Sequence, residues 1–249
     1  MFIFCNIRVV TCILRLVWAT QLENPHIAIA ATIFNSAGVL IIYFVVLVFA
    51  QRVFRATHPK LGWNKPFSKT LIVSYVLLAG ALILTITFTV LSFYTLNMTL
   101  RSVARWIQRG AILYMMMFNL LSLVLLILSS LLPPAPDSEN FGAGSMNSKL
   151  TILGVAVFFS VFNVGFRMGT AWADPRPTSN PAWYDNKPAF YVILFGFEII
   201  IVYLFLFSRI DRRFWVPNGS CQPGDYSRLE LEGSKLSEED INLMPLQKY

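Results

Sequence analysis

The length of uninterrupted apolar sequence is the feature that most restricts what this chain can fold into. Six apolar runs cover residues 2–19, 27–50, 71–94, 111–132, 150–172 and 188–208, each long enough for a helix that crosses a hydrocarbon core of about 30 Å. The chain is 56% hydrophobic and 13% charged, with a mean hydropathy of +0.60, which is typical of multi-span membrane proteins. The sequence predicts an all-α fold, a polytopic transmembrane helical bundle of six spans over residues 1–213, followed by a disordered cytoplasmic tail over 214–249.

The fifth and sixth runs each contain a charged residue that hydrocarbon disfavours. Arg167 lies in SVFNVGFRMGTAW and Glu198 in YVILFGFEIIIVY. At 1.5 Å per helical residue, Arg167 lies about 7 Å and Glu198 about 14 Å from the membrane face marked by the connecting loop. Ionisable groups at such depths usually face the bundle interior and pair with one another. These two residues are therefore the first candidates for a polar site between helices.

The first run contains two arginines, Arg8 and Arg15, which make it marginal as an isolated span. A central arginine opposes insertion by about 2.5–3.5 kcal/mol, whereas each large apolar residue favours it by about 0.3–0.6 kcal/mol. Arg8, Cys12 and Arg15 follow helical spacing, so one polar stripe is expected to face the bundle interior. A secretory signal is the competing interpretation, but Arg15 interrupts the apolar run and no A-x-A site follows.

Three arginines and one glutamate within spans leave two positive charges unmatched by sequence. Because uncompensated charge in a membrane is costly, we hypothesise that an anionic headgroup, such as a lipid phosphate, completes the cluster. Arg167, Glu198, Arg15 and Arg8 are the candidate ligand-binding residues. In the alternative, Arg15 and Arg167 extend outward to the membrane surface and only Glu198 is buried, paired within the protein.

The distribution of charge predicts the topology. The net charge is +7, and residues 214–249 hold three Lys/Arg and six Asp/Glu, so the remainder carries +10. The loop 51–70 carries five cations and no acid, which places it in the cytoplasm and, by alternation, the C-terminal tail as well. This topology gives nine Lys/Arg inside (Arg52, Arg55, Lys60, Lys65, Lys69, Lys149, Arg209, Arg212, Arg213) and five outside (Arg101, Arg105, Arg109, Arg176, Lys187). Membrane lipids, not nucleic acids, are the expected partners.

Several segments carry weaker signals. Small residues four apart, Ala28, Thr32 and Ser36, predict that the second helix is central in the bundle. The stretch 98–109 is either a helix lying in the membrane interface or the first turns of the fourth span. The Gly-rich loop before Lys149 is predicted to be a flexible linker, and the Pro-rich loop 173–187 to be a rigid cap over the Arg167 and Glu198 site.

Patterns for common enzyme chemistry do not occur. The two histidines, His26 and His58, fall on opposite sides of the predicted membrane, so they cannot share an ion. No lysine lies inside a predicted span, and no G-x-S-x-G, H-E-x-x-H or P-loop pattern is present. The sequence therefore predicts neither an enzyme nor a metal or cofactor site.

Five segments carry a family resemblance: AQRVFRATHPKLGWN (50–64), SFYTLN (92–97), ENFGAG (139–144), EIIIVYLFLFSRIDRRFWVPNGS (198–220) and GDYS (224–227). Together they resemble a fungal family of multi-pass integral membrane proteins of unknown function. The resemblance implies a fungal origin and a seven-span fold. Compared with that fold, the first helix is missing here, so either the gene model is truncated or six helices suffice. The setting of Arg167 is also similar in layout to the resistance-to-aminocholesterol (RTA-like) proteins, described as lipid-translocating.

The function expected on these grounds is binding or translocation of an amphipathic, lipid-like ligand. The alternative is a receptor-like membrane sensor of seven helices, signalling through its cytoplasmic loops and tail. Protein partners are not indicated by any motif in the sequence.

Overall fold

A computed structural model of the chain describes residues 2–21, 24–173, 182–185 and 187–227. Within these residues, five helices are long and apolar enough to cross a membrane. These are α1 (Phe2–Thr20), α2 (Pro25–Thr57), α4 (Lys65–Tyr94), α5 (Met98–Leu131) and α6 (Met146–Trp172). A shorter apolar helix, Tyr191–Phe207, follows. The predicted fold class, an all-helical polytopic bundle, is confirmed for the described residues.

Short elements complete the described chain. They are α3 (Pro59–Gly62), a 3₁₀ turn (Trp183–Asp185), α7 (Lys187–Phe190), a π-helical turn (Tyr191–Gly196), α8 (Phe197–Phe207) and α9 (Ile210–Arg213). The predicted cap loop lies mostly outside the described residues, which omit 174–181 and 186.

Helix boundaries follow from capping residues and prolines. Asn24 and Asn97 begin α2 and α5, since each side-chain oxygen accepts a hydrogen bond from the backbone N–H two residues later, at 3.1 and 2.9 Å. Pro25 occupies the first turn of α2, where no backbone donor is needed. Proline 133 follows the end of α5, where it cannot continue the helix.

Successive long helices run in opposite directions and define two ends of the bundle. At the Trp18 end, α1, α4 and α6 finish and α2 and α5 begin. At the His58 end, α2 and α5 finish and α4 and α6 begin. Because α5 is one helix from Met98 to Leu131, residues 98–109 are its first turns, and the alternative of a separate interfacial helix is wrong.

The prediction that α2 is the central helix is confirmed. Half of its most apolar window is buried, against 17% for α1 and for α4. Its buried residues include Val46, Leu47, Ala50 and Val53, none of which has measurable exposure. The outward faces of α1 and α4 are apolar instead, with residues such as Leu16 and Val76 exposed. An apolar exterior of this kind is compatible with hydrocarbon rather than water as the surrounding solvent.

At the His58 end, the Gly-rich loop packs against the chain that follows the last helix. Phe141 is buried beside Phe214 and Tyr226, with ring centroids 6.2 and 5.6 Å away. The Glu139 carboxylate accepts hydrogen bonds from the backbone N–H groups of Gly224 (2.7 Å) and Tyr226 (3.0 Å). We name residues 139–144 together with 214–227 the clasp.

The clasp differs from what the sequence predicts in two respects. The Gly-rich loop is an ordered part of the bundle, so its interpretation as a flexible linker is wrong. Packing also continues to residue 227, beyond the predicted end of the bundle at 213, and residues 228–249 lie outside the described part of the chain. The reason is aromatic burial: Phe214 and Tyr226 are only 1% and 6% exposed.

Candidate functional site

Three charged side chains from three helices meet inside the bundle. Glu198 of α8 is 2% exposed. Arg8 of α1 forms a close ion pair with its Oε2, and the Arg167 Nη2 atom of α6 lies 3.7 Å from its Oε1. We name Arg8, Arg167 and Glu198 the ion triad. The structure thus brings together three of the four residues nominated from sequence.

The Arg8 side chain is held by α2 as well as by Glu198. Its Nη1 atom donates to the Asn35 side-chain oxygen at 3.1 Å and lies 3.4 Å from the Asn35 carbonyl. Its guanidinium carbon also lies 5.0 Å from the Phe195 ring centroid, within the range of a cation–π contact. Together these contacts hold the Arg8 side chain against α2 and the π-helical turn.

Asn163 connects Arg167 to two further helical segments. Its Oδ1 atom accepts from Arg167 Nε at 3.2 Å and from the Tyr43 hydroxyl at 2.9 Å. Its Nδ2 atom donates to the Leu194 carbonyl at 2.9 Å. Leu194 lies in the π-helical turn. Such turns are rare in proteins, and those that occur are often found at functional sites. Polar groups from α2, α6 and the last apolar helix therefore form one buried network around the ion triad.

The fourth nominated residue, Arg15, lies nearer the Trp18 end. It is half-buried, and its guanidinium carbon lies 5.8 Å from the Tyr191 ring centroid and 5.7 Å from that of Phe195. Arg15 and Arg167 both line a cavity, whereas Arg8 and Glu198 do not.

This cavity has a volume of about 710 Å³ and opens between α1, α2, α4, α5 and α6 at the Trp18 end. Its volume is in the range of small-molecule binding sites. Both cations lie in a wall that is otherwise apolar or uncharged, and the lining contains no Asp or Glu among the described residues. The lining residues are Arg15, Trp18, Ala19, Ser36, Val39, Thr85, Ile112, Met115, Val164, Phe166, Arg167, Thr170, Ala171, Tyr184, Tyr191 and Leu194.

The sequence predicts that Arg8, Cys12 and Arg15 face the bundle interior from α1, and the structure differs at one of these positions. Cys12 is exposed, and Thr11 is buried in its place, beside Arg8 on the inward face. Adjacent residues of a helix differ by about 100° in direction. Both positions fit the spacing between Arg8 and Arg15 loosely, so spacing alone does not separate them.

Sequence reasoning missed three polar residues of this network: Asn35, Tyr43 and Asn163. Asn35 and Asn163 carry a usable signal, since each is an amide within an apolar run, and Asn163 precedes Arg167 by one helical turn. Tyr43 carries none, because tyrosine is ordinary within an apolar helix.

The fifth apolar run begins directly after Lys149, which predicts that this residue lies outside the spans. In the structure it lies within α6 and is fully buried. Its Nζ atom donates to the Phe141 carbonyl and lies 4.5 Å from the ring centroid of the same residue. Lys149 thus belongs to the packing of the clasp, far along α6 from Arg167.

The two histidines lie at opposite ends of the bundle, His26 beside Tyr94 and His58 beside Phe54. Within the described ranges, no group of three or more His, Cys, Asp or Glu side chains is arranged to hold a metal ion.

Residues 142–215 match the sequence profile of a family described as a protein of unknown function (DUF3112). No curated protein and no solved structure matches the chain. The matched segment contains Asn163, Arg167 and Glu198, whereas Arg8 and Arg15 precede it. An uncharacterised domain and several membrane-length helices fit a multi-pass membrane protein, and the match assigns no activity.

Proposed function

We propose that this protein binds an amphipathic, lipid-like ligand through an anionic headgroup in the cavity at the Trp18 end. The observation that carries the proposal is the placement of Arg15 and Arg167 on the wall of a largely apolar cavity whose described lining has no acidic side chain. Guanidinium groups bind phosphate and carboxylate with charge-assisted hydrogen bonds. An apolar chain would then lie against residues such as Val39 and Met115.

The proposed role is binding or translocation without covalent chemistry. The likeness to fungal lipid-translocating proteins that the sequence suggests points in the same direction, and a fungal origin is part of the proposal. A membrane location with the C-terminal tail in the cytoplasm is supported by the excess of Lys/Arg in loops at the His58 end.

Fluorescence quenching tests the proposal, since Trp18 is part of the cavity wall. Protein purified in an uncharged detergent is titrated with brominated phosphatidic acid and, separately, with brominated phosphatidylcholine. We expect saturable quenching at lower concentrations of the anionic lipid. Arg167→Gln is expected to weaken its binding roughly tenfold or more, because a hydrogen bond to a charged group is lost.

The matched control is Arg105→Gln, which removes an exposed arginine at the same end of the bundle. We expect it to bind the anionic lipid as the unaltered protein does. Equal losses in both variants, or no saturable quenching by either lipid, would contradict the proposal.

The second candidate, a receptor-like sensor, is favoured by one observation: residues 214–227 are docked in the clasp rather than extended from the bundle. A sensor is expected to release this segment when ligand binds. Cleavage by trypsin after Arg212 and Arg213, measured with and without brominated phosphatidic acid, separates the candidates. Faster cleavage with lipid supports the sensor, and an unchanged rate supports the carrier.

A further inference from the structure

Arg167 is the member of the ion triad that is part of the cavity wall. It lines the cavity, and its guanidinium also faces Glu198, while Arg8 and Glu198 lie behind the wall. The inference below rests on the ligand proposed above and concerns how the site responds to it.

The two ion pairs of Glu198 are unequal. Arg8 contacts the carboxylate closely and is fixed by Asn35 on its other side. The 3.7 Å separation between Arg167 Nη2 and Glu198 Oε1 exceeds hydrogen-bond length. Moving Arg167 away from Glu198 would therefore leave the closer of the two pairs intact.

We propose that Glu198 is an internal counter-anion for Arg167 and that an anionic headgroup entering the cavity displaces it, while Arg8 retains Glu198. Without ligand, one carboxylate is shared by two guanidinium groups, so the ion triad carries a net charge of +1. With a singly charged headgroup bound, each arginine has an anion of its own. Buried charges are most stable when they are paired, so the exchange neutralises the cluster without leaving Glu198 alone.

This arrangement selects the charge of the ligand. A phosphate or a carboxylate supplies the missing negative charge. A zwitterionic headgroup also brings an ammonium group, for which the described cavity lining offers no carboxylate. The ligand class is therefore an amphiphile with a net anionic head, from a phospholipid or from a fatty acid.

Three variants test the exchange in the quenching assay. Glu198→Gln removes the internal competitor, and we expect phosphatidic acid to bind about fivefold more tightly or better. Arg8→Gln leaves Glu198 with Arg167 as its counter-ion, and we expect weaker binding. The double variant Arg8→Gln with Glu198→Gln is expected to bind phosphatidic acid more tightly than Arg8→Gln alone, because it no longer has the Glu198 carboxylate that competes with the lipid for Arg167. The effects of the two substitutions are therefore not additive.

The source of the anion is identified by competition against brominated phosphatidic acid. Displacement by oleate indicates that a carboxylate is sufficient, and displacement by inorganic phosphate indicates that the headgroup is recognised without its chains. Phosphatidylcholine that competes as well as phosphatidic acid would overturn the charge selection.

The exchange is overturned if the unaltered protein binds phosphatidic acid but Glu198→Gln binds it equally or more weakly. If the unaltered protein binds no lipid, the proposed function fails instead, so the two failures are distinguishable. Gel filtration and circular dichroism check folding. Should Glu198→Gln not remain monodisperse, the comparison of Arg8→Gln with the double variant decides, since the double variant removes both buried charges of the close pair.

Discussion

At the scale of single residues, Gly38 makes room for a buried cation. A Cβ atom built at this position would lie 2.9 Å from Arg8 Cζ and 3.0 Å from Arg8 Nε. A flexible side chain could ordinarily move away, but Arg8 is fixed by Asn35 and Glu198. The glycine in α2 is therefore required by the ion triad, not by its own backbone conformation.

Gly38→Ala is expected to lower the midpoint of thermal unfolding in detergent, because overpacking costs about 1–3 kcal/mol. Gly80→Ala is the matched control. It lies within α4, where a Cβ atom would have no neighbour within 4 Å, so the higher helix propensity of alanine should leave stability unchanged or raise it by up to about 1 kcal/mol. A Gly38→Ala variant as stable as Gly80→Ala would contradict the described position of Arg8.

Residues of the site differ in how well the sequence predicts them. Arg8, Arg167 and Glu198 are detectable because a charge inside an apolar run is costly and must be compensated. Tyr43 is not detectable, because its partner Asn163 is 120 positions away. Likewise, only the three-dimensional packing of α1 shows that Thr11 and not Cys12 faces inward.

At the scale of elements, the clasp joins two segments that are distant in sequence. The Glu139 carboxylate binds backbone N–H groups 85 and 87 residues later. Gly142 has a φ of +57°, and a Cβ atom there would overlap the Arg213 carbonyl oxygen. Glycine-rich composition usually indicates flexibility. Here it permits close backbone contact instead, which no local sequence pattern distinguishes.

Glu139→Ala is expected to loosen residues 214–227, because two hydrogen bonds to a charged acceptor are lost. Tryptic cleavage after Arg212 and Arg213 should then be about tenfold faster than in the unaltered protein. Asp137→Ala is the matched control in the same loop. Its ion pair with Lys60 is exposed, with side chains 60% and 82% accessible, and such pairs contribute little. Equal cleavage rates in the two variants would show that the clasp does not depend on Glu139.

At the scale of the whole molecule, the apolar runs predict the order of the helices, because hydrocarbon requires every backbone group to be bonded within its own helix. Within the described residues, five of the six runs correspond to long helices and the sixth to the shorter apolar helix Tyr191–Phe207. Their ends are predicted less well. The second apolar run covers residues 27–50, but α2 continues to Thr57, since polar residues extend a helix beyond the membrane as readily as apolar ones.

The predicted orientation can be tested by labelling cysteines from one side of sealed cells. In a background with Cys5→Ala and Cys12→Ala, native Cys221 reports on the His58 end, and Leu96→Cys reports on the Trp18 end, where Leu96 is exposed. In cells that carry the protein in the plasma membrane, an impermeant maleimide should label Leu96→Cys before permeabilisation and Cys221 only after it. The reverse pattern would contradict the positive-inside assignment.

The central claim, that an anionic amphiphile occupies the cavity beside Arg167, is tested most directly by photo-cross-linking. The purified protein is irradiated with a photoactivatable phosphatidic acid carrying its reactive group next to the phosphate, and the labelled peptides are identified by mass spectrometry. The account predicts labels on cavity residues within 15–39 and 164–171, suppressed by unlabelled phosphatidic acid and by Arg167→Gln. Labels confined to outward-facing residues of α4, such as Ile72 and Val76, would contradict it.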